Sequence, residues 1–269
     1  MKKILHAVLA LLLGKIRYQW FFEKAYFFAL KGRNIGTGGM AMDVNGEAAA
    51  LRFIRKKLSD RKEPMIIFDI GAQHGNYTHE ILKAFEHKEK QIFLFEPSHE
   101  AFTTLKNRFG SSPSLHLYPH AVGSKSGSTR LFSPRDISGL SSMYGHRFDD
   151  LPATSLTTEE VPMVTISEFC AQESIKRIHL LKMDVEGNEL ECLKGAGTLL
   201  DDSIDFIQFE FGVCNIFSKT YFRDFYDLLH EQYYIFRILK DGPYLIDRYR
   251  PSDELFVTTN FLAERKKKS

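Results

Sequence analysis

Residues 65–78, Met-Ile-Ile-Phe-Asp-Ile-Gly-Ala-Gln-His-Gly-Asn-Tyr-Thr, constrain this chain more than any other stretch. Apolar, β-rich residues run from Met65 to Phe68, Asp69 follows, and a turn is bracketed by Gly71 and Gly75. The pattern then becomes helical, with Tyr77, Ile81, Leu82 and Phe85 at three- and four-residue spacing. A buried strand, a glycine turn and a helix N-terminus form the unit with which open α/β sheets hold nucleotide-like ligands. Glycine lets backbone approach a ligand because no Cβ intervenes. The plainer alternative is the strand-turn-helix of any α/β protein.

The next apolar run, Gln91–Phe95, ends in Glu96-Pro97, so Glu96 falls 21 residues after Gly75. An acid at that strand tip can accept hydrogen bonds from both ribose hydroxyls. The turn itself lacks the G-x-G-x-x-G spacing that cradles a dinucleotide phosphate. Its Asp-x-Gly-x-x-x-Gly form suits a ligand with a cationic or zwitterionic end, such as the amino acid portion of S-adenosylmethionine.

A second informative stretch is Ile178–Leu200. The strand Ile178-His-Leu-Leu-Lys-Met183 ends in Asp184-Val-Glu186-Gly187, and a helix follows with Leu190, Leu193, Leu199 and Leu200 on its apolar side. Phe206-Ile-Gln-Phe209 likewise ends in Glu210. Four expected strands thus finish in Asp69, Glu96, Asp184 and Glu210, an acidic rim where open α/β sheets place their ligand crevice. Each acid alone reads as a cap or a solvated loop residue; together they point to a site.

Between these stretches, Ser98 is placed to cap a helix through Phe102, Leu105 and Phe109 that ends at Gly110. A third strand at Leu115–Tyr118 precedes His120-Ala121-Val122-Gly123, whose short apolar residues suit an adenine slot. Further strands are expected at Gly127–Phe132 and Val161–Val164. Residues 134–158 are polar, with Ser138, Gly139, Ser141, Ser142, Tyr144, Gly145 and His146 close together, and read as a substrate loop or lid. Strands Tyr234–Leu239 and Leu255–Phe261, with no helix between them, suggest an antiparallel hairpin closing the sheet.

The N-terminus is different in kind. Lys2-Lys3 precede the apolar run Ile4–Leu13, which no small-x-small cleavage site follows and which falls short of the ~20 residues a membrane span needs. Residues 15–31 then mix Trp20 and six Phe or Tyr side chains with basic residues. Such a helix can lie in a membrane interface; otherwise it packs on the main domain or on a second subunit. The tail from Arg265 to Lys268 is a solvated end that could add attraction to anionic lipid. Gly32–Gly46 is glycine-rich, and Glu47–Ser59 resumes helical spacing, so residues 1–60 are taken as an extension and 61–269 as the domain. A net charge of +2 gives no reason to expect a nucleic acid partner. Cys170, Cys192 and Cys214 lie far apart, with no ligand spacing, which supports neither a disulfide framework nor a metal site. A reducing cytosol is the expected compartment, with peripheral contact at the inner face of the membrane through residues 1–31.

Phe68-Asp-Ile-Gly-Ala-Gln-His-Gly-Asn-Tyr-Thr78, Phe95-Glu-Pro97, Ala121-Val-Gly123, Leu181-Lys-Met-Asp-Val-Glu-Gly187 with Glu189-Leu190, and Leu193-Lys-Gly-Ala196 resemble, in order, the motifs of the FkbM family of S-adenosylmethionine-dependent methyltransferases. The likeness covers about residues 64–262. One departure is Gln73, where the family commonly has Asn; the amide is kept on a side chain one methylene longer. The resemblance implies an α/β, Rossmann-like seven-stranded methyltransferase fold, mostly parallel with a C-terminal antiparallel hairpin, behind an N-terminal helical extension. It also implies O-methylation of a sugar, glycan or polyketide-like hydroxyl. By matching position, Asp69, Gly71 and Gly75 hold the methionine end of the cofactor, and Ala72, Gln73, Asn76, Tyr77 and Thr78 are further cofactor-binding positions. Glu96 holds the ribose hydroxyls, Pro97 and Ser98 are cofactor-binding beside it, and Ala121 and Val122 border the adenine. Asp184, Glu186 and Glu210 face the acceptor, with Asp184 favoured as proton acceptor over Glu210, His120 and His146.

Two other readings stay open on sequence. A nicotinamide-dependent oxidoreductase would share the sheet and Glu96, though the acidic turn lacks the phosphate-cradling glycines. A non-catalytic, membrane-associated scaffold would need a lost cofactor site, against which the intact glycines speak.

Overall fold

Side chains alternate in direction along a strand, and here that alternation sorts the apolar residues into two layers. The computed structural model describes residues 12–135 and 141–267. Its strands are β1 (Met65–Ile70), β2 (Lys90–Phe95), β3 (Leu115–Tyr118), β4 (Ala121–Val122), β5 (Gly127–Pro134), β6 (Leu156–Val164), β7 (Ile178–Met183), β8 (Ile204–Phe211), β9 (Tyr233–Leu239), β10 (Gly242–Ile246) and β11 (Thr259–Arg265). The longer helices are α1 (Gln19–Gly32), α2 (Glu47–Lys57), α3 (Asn76–Ala84), α4 (His99–Phe109), α5 (Ile166–Gln172), α6 (Glu189–Ala196) and α7 (Phe222–Leu229).

On β1, Phe68 and Ile70 join one core with Phe93, Leu181 and Phe209, covered by apolar residues of α5, α6 and α7. Met65 and Ile67 join the other with Leu94, Leu180 and Phe206, covered by α2, α3 and α4. Burial on both faces explains why β1 reads as a nearly unbroken apolar run, and β7 and β8 are buried along almost their whole length. The large sheet runs β10-β9-β11-β8-β7-β1-β2-β3. β3, β2, β1, β7 and β8 are parallel, and β11 lies antiparallel between β8 and β9. A smaller sheet, β4-β6-β5, stands beside it.

The doubly wound, mostly parallel sheet is as expected, with two corrections at its C-terminal edge. Among the described residues the sheet has eight strands rather than seven, because β10 forms a tight hairpin with β9. Its Gly242-Pro243 start reads as turn alone, yet proline is tolerated on an edge strand. The last strand begins at Thr259 rather than Leu255; it pairs antiparallel with β9 as expected, and its other side pairs with β8. Residues just before it serve another purpose: the Thr258 carbonyl accepts the Gly36 and Gly38 N–H groups.

That contact belongs to a strap from Asn34 to Glu47. Asn34 Nδ2 donates to the carbonyls of Asn45 and Ile238, pinning the strap to β9. The helix α2 then buries Ala50, Leu51 and Ile54 in the same core as Met65 and Ile67, so the segment before residue 61 contributes to the core beneath β1. The Ile4–Leu13 run lies almost wholly outside the described residues, as does Lys268.

Candidate active site

Strand register builds the centre of the site. Asp69 stands opposite Lys182, and Lys182 opposite Gln208, so the three side chains form one polar row across β1, β7 and β8. Period-two alternation puts Asp184 and Glu210 on the same face, one step nearer the carboxyl ends. The Lys182 side chain is 3% exposed, and its Nζ donates to Asp184 Oδ2 at 3.2 Å. Burial alone would lower its pKa; Asp184, Glu47, Asp69 and Glu210 together raise it instead. The carboxylates respond in kind. Burial pushes the pKa values of Glu47, Asp69 and Glu210 up, with Lys182 opposing each shift.

Hydrogen bonds order this cluster. Thr78 Oγ1 donates to Asp69 Oδ2, Tyr77 Oη donates to Gln208 Oε1 at 2.7 Å, and Gln208 Nε2 donates to Glu47 Oε1 at 2.9 Å. The Lys182 ammonium also sits 5.1 Å from the Tyr77 ring centroid. Over the row lies a cavity of about 620 Å³, walled by the strap from Gly38 to Asp43, by Glu47, and by Asp69, Ala72, Asn76 and Tyr77.

A second cavity, of about 250 Å³, opens on the other side of Gly71. Gly71, Gln73 and Asp184 line both. Here Glu96 Oε2 accepts the Gln73 N–H and Oε1 accepts the Ser98 N–H, each at 2.9 Å. Burial pushes its pKa up to about 7 against the pull of those two bonds. Pro97, Ala121, Val122, Leu131 and Met143 give this cavity an apolar side, with Ser98, Glu100 and Glu159 among its polar lining. His120 also lines it, and its Nδ1 is buried without a hydrogen-bond partner among the described residues.

The loop after β7 is held from within. Glu189 accepts hydrogen bonds from the Val185 and Gly187 N–H groups, and this holds Glu186 at φ +56. Burial raises the Glu189 pKa to about 7, and the backbone bonds pull the other way. Glu186 itself accepts from Arg147 Nη1 at 2.9 Å and from Cys214 Sγ at 2.8 Å. Its pKa is raised by burial and by Asp184, with Arg147 opposing.

The residues singled out from sequence therefore separate. Asp69, Gly71, Ala72, Gln73, Asn76, Tyr77, Glu96, Pro97, Ser98, Ala121, Val122, Asp184 and Glu186 line one or both cavities. Thr78 does not: it is fully buried and acts behind Asp69. Gly75 lines neither cavity; a Cβ there would lie 2.2 Å from the Phe109 ring. At Gly71 (φ +78) a Cβ would meet the Asp184 carbonyl at 1.9 Å, so the missing side chain lets two strand ends meet. Glu210 lines neither cavity, and Glu186 is already engaged by Arg147. Ser98 takes the N-cap position of α4 without a side-chain cap; its N–H is held by Glu96 instead.

Part of the expected lid, residues 136–140 with Ser138 and Gly139, lies outside the described residues. The described remainder is docked onto the acidic loop: Ser142 Oγ donates to the Glu186 carbonyl, Tyr144 Oη to Asn188 Oδ1, and Arg147 to Glu186. His146 Nε2 is 2.7 Å from the Phe217 carbonyl.

Glu47, Lys182, Gln208 and Glu189 were not anticipated as part of the site. Only Lys182 carried a signal. A lysine inside the apolar run Ile178–Met183 needs buried counter-charges, because an isolated ammonium is almost never taken out of water.

An open, doubly wound sheet with its crevice at the carboxyl ends, an acid at the tip of β2 and a glycine turn after β1 form the ligand-crevice architecture of open α/β folds. The profile of the methyltransferase FkbM domain matches residues 69–236, and the chain belongs to this family of methyltransferases. Hexuronic acid methyltransferase AglP of Haloferax volcanii is 25% identical over 166 residues, covering 61% of this chain and 62% of AglP. The chain thus spans less than two thirds of that relative's length. Among solved structures, methyltransferase FkbM from Methylobacillus flagellatus superposes with a TM-score of 0.47 at 14% identity, covering 80% of this chain and 48% of that one. SMU.1697c from Streptococcus mutans, solved in complex with SAH, gives a TM-score of 0.43 at 8% identity, covering 80% of this chain and 97% of that one.

Proposed function

We propose that the chain moves a methyl group from S-adenosylmethionine to a hydroxyl of a sugar, glycan or polyketide-like small molecule. The observation that carries this reading is Asp184, a strand-tip carboxylate standing where the two cavities meet. Between the two acceptor classes, likeness to a hexuronic acid methyltransferase favours the sugar.

The residues fit such a cofactor. Glu96 uses each oxygen for one backbone N–H and keeps lone pairs for two ribose hydroxyls. Ala121, Val122 and Leu131 offer an apolar slot for the base, beside the unpartnered His120 Nδ1. Asp69 and Glu47 offer negative charge to a cationic amino acid end in the larger cavity. When bound, the cofactor supplies an electrophilic methyl group on a sulfonium.

The protein's own contribution is positioning and proton removal. An alcohol is a weak nucleophile until its proton leaves, and Asp184 is placed to take that proton. Lys182 orients the Asp184 carboxylate from below, and Glu189 holds the loop that follows it. Walls formed by the strap and by the docked 141–148 segment restrict water around the acceptor.

Calorimetric titration with S-adenosylhomocysteine, followed by mass detection of a 14 Da gain on a panel of uronic acids, neutral glycans and polyketides, tests the reading. Absence of binding would remove its basis. Glu96→Ala should weaken S-adenosylhomocysteine binding by roughly 10–100-fold, because charge-assisted bonds to two hydroxyls are lost. The same carboxyl sets a pH dependence. Its free-state pKa of about 7 means that hydroxyl donors, which prefer the ionised form, must expel a proton at lower pH. Affinity should therefore fall below pH 7 by up to about tenfold per unit, and Glu96→Gln should lose that slope. An unchanged slope in the variant would take the ribose role away from Glu96.

A further inference from the structure

The helix α1 stands outside both cores. Its one buried residue is Leu30, while Ile16, Trp20, Phe27 and Phe28 around it are 92%, 61%, 61% and 81% exposed. A helix with apolar groups on nearly every side is ordinarily either inside a core or in contact with lipid. This one is not left loose: the Arg33 carbonyl accepts from Arg237 Nε at 3.1 Å, and Asn34 is tied to β9, so its C-terminal end is fixed to the sheet.

Charge distinguishes the possible occupants of that surface. Lys15, Arg17, Lys24, Lys31 and Arg33 stand against Glu23 alone, an excess of +4 within a chain whose total is +2. A second copy meeting the same face would bring these like charges together, whereas an anionic surface complements them. The cations also lie beside aromatic rings, Arg17 at 4.6 Å from the Tyr18 centroid and Lys24 at 5.4 Å from that of Trp20. Rings sunk at the acyl boundary with ammonium and guanidinium groups at headgroup level satisfy both at once. The helix has 14 residues, roughly 21 Å at 1.5 Å per residue, against a hydrocarbon core of ~30 Å. No helix among the described residues is long and apolar enough to cross a membrane.

We infer that α1 and the residues just before it dock the protein, parallel to the surface, onto an anionic lipid bilayer. The strap that walls the larger cavity follows this helix directly, so docking sets that cavity's mouth at a fixed distance from the lipid.

Trp20 is the chain's single tryptophan, which makes its emission a direct report on this helix. The full chain is titrated with vesicles of phosphatidylcholine containing one third phosphatidylglycerol, and with pure phosphatidylcholine. The expected result is a blue shift and co-sedimentation with the anionic vesicles, with weaker binding to the neutral ones. Phe28→Glu should lower partitioning by about tenfold or more, and the pair Lys24→Glu and Lys31→Glu should do so on anionic vesicles only, since each basic residue contributes about fivefold. Retained S-adenosylhomocysteine binding in these variants shows that the fold is intact. Unshifted Trp20 emission without co-sedimentation overturns the proposal. So does protection of Trp20 through concentration-dependent self-association without vesicles, or membrane recovery that only detergent reverses.

Discussion

Asp184→Asn should lower kcat by about 10²–10⁴-fold while leaving S-adenosylhomocysteine affinity close to that of the unaltered protein. The substitution is nearly isosteric and keeps the backbone bond from the residue 184 N–H to the Ile70 carbonyl, so the turn that meets Gly71 is preserved. It removes the proton acceptor. Lys182, which loses one ionic partner, still faces Glu47, Asp69 and Glu210, so the buried cluster keeps its counter-charges. Glu210→Gln is the matched comparison. Its carboxyl lines neither cavity and has its pKa pushed well up by burial, with repulsion from Asp184 and Glu186 adding to the shift, so a much smaller effect on kcat is expected. Steady-state kinetics on both variants, with calorimetry for the ligand, separate the roles. Lost ligand binding with surviving turnover at saturation would make Asp184 a binding group and move the base elsewhere.

The four strand-tip acids were legible because each ends a run of residues buried on both faces, and such runs announce parallel strands. Their mutual arrangement was not. Glu47 reaches Gln208 across 161 positions of chain, and nothing local to Gly46-Glu47-Ala48 marks that contact. Glu47 was read instead as the start of a helix in an appended segment, whereas α2 closes one face of the sheet. Gly71 and Gly75 were recognised as special for an incomplete reason. Their missing Cβ atoms let β1 meet the Asp184 carbonyl and let the turn meet α4, contacts that depend on tertiary neighbours rather than on the motif. The strand β10 escaped notice because Gly and Pro at its start carry the signature of a turn, and only its position at the sheet edge makes them acceptable there.

Lys182→Met should destabilise the fold by about 3–5 kcal/mol, a loss characteristic of a buried charge deprived of its partner. Methionine is similar in length and apolar, so little volume changes; what disappears is the positive charge nearest Asp184, Glu47, Asp69 and Glu210. Those acids cannot reach water easily, and with the ammonium gone they are driven toward their protonated forms. The sign of the pH dependence follows. Glu47, Asp69 and Glu210 already have raised folded pKa values, so above the ordinary carboxylate range the folded chain holds protons that the unfolded chain has released. Stability from these groups falls as pH rises, and loss of Lys182 raises the three values further. Urea unfolding should therefore show the variant closer to the unaltered protein at pH 5 than at pH 8. Coupling supplies a second check. Asp69→Asn, which costs the unaltered protein a partner for Lys182 and Thr78, should be milder in the Lys182→Met background by about 1 kcal/mol or more. A loss under about 1 kcal/mol, equal at both pH values and additive with Asp69→Asn, would mean that the cluster is solvated and that Lys182 is not its organising charge.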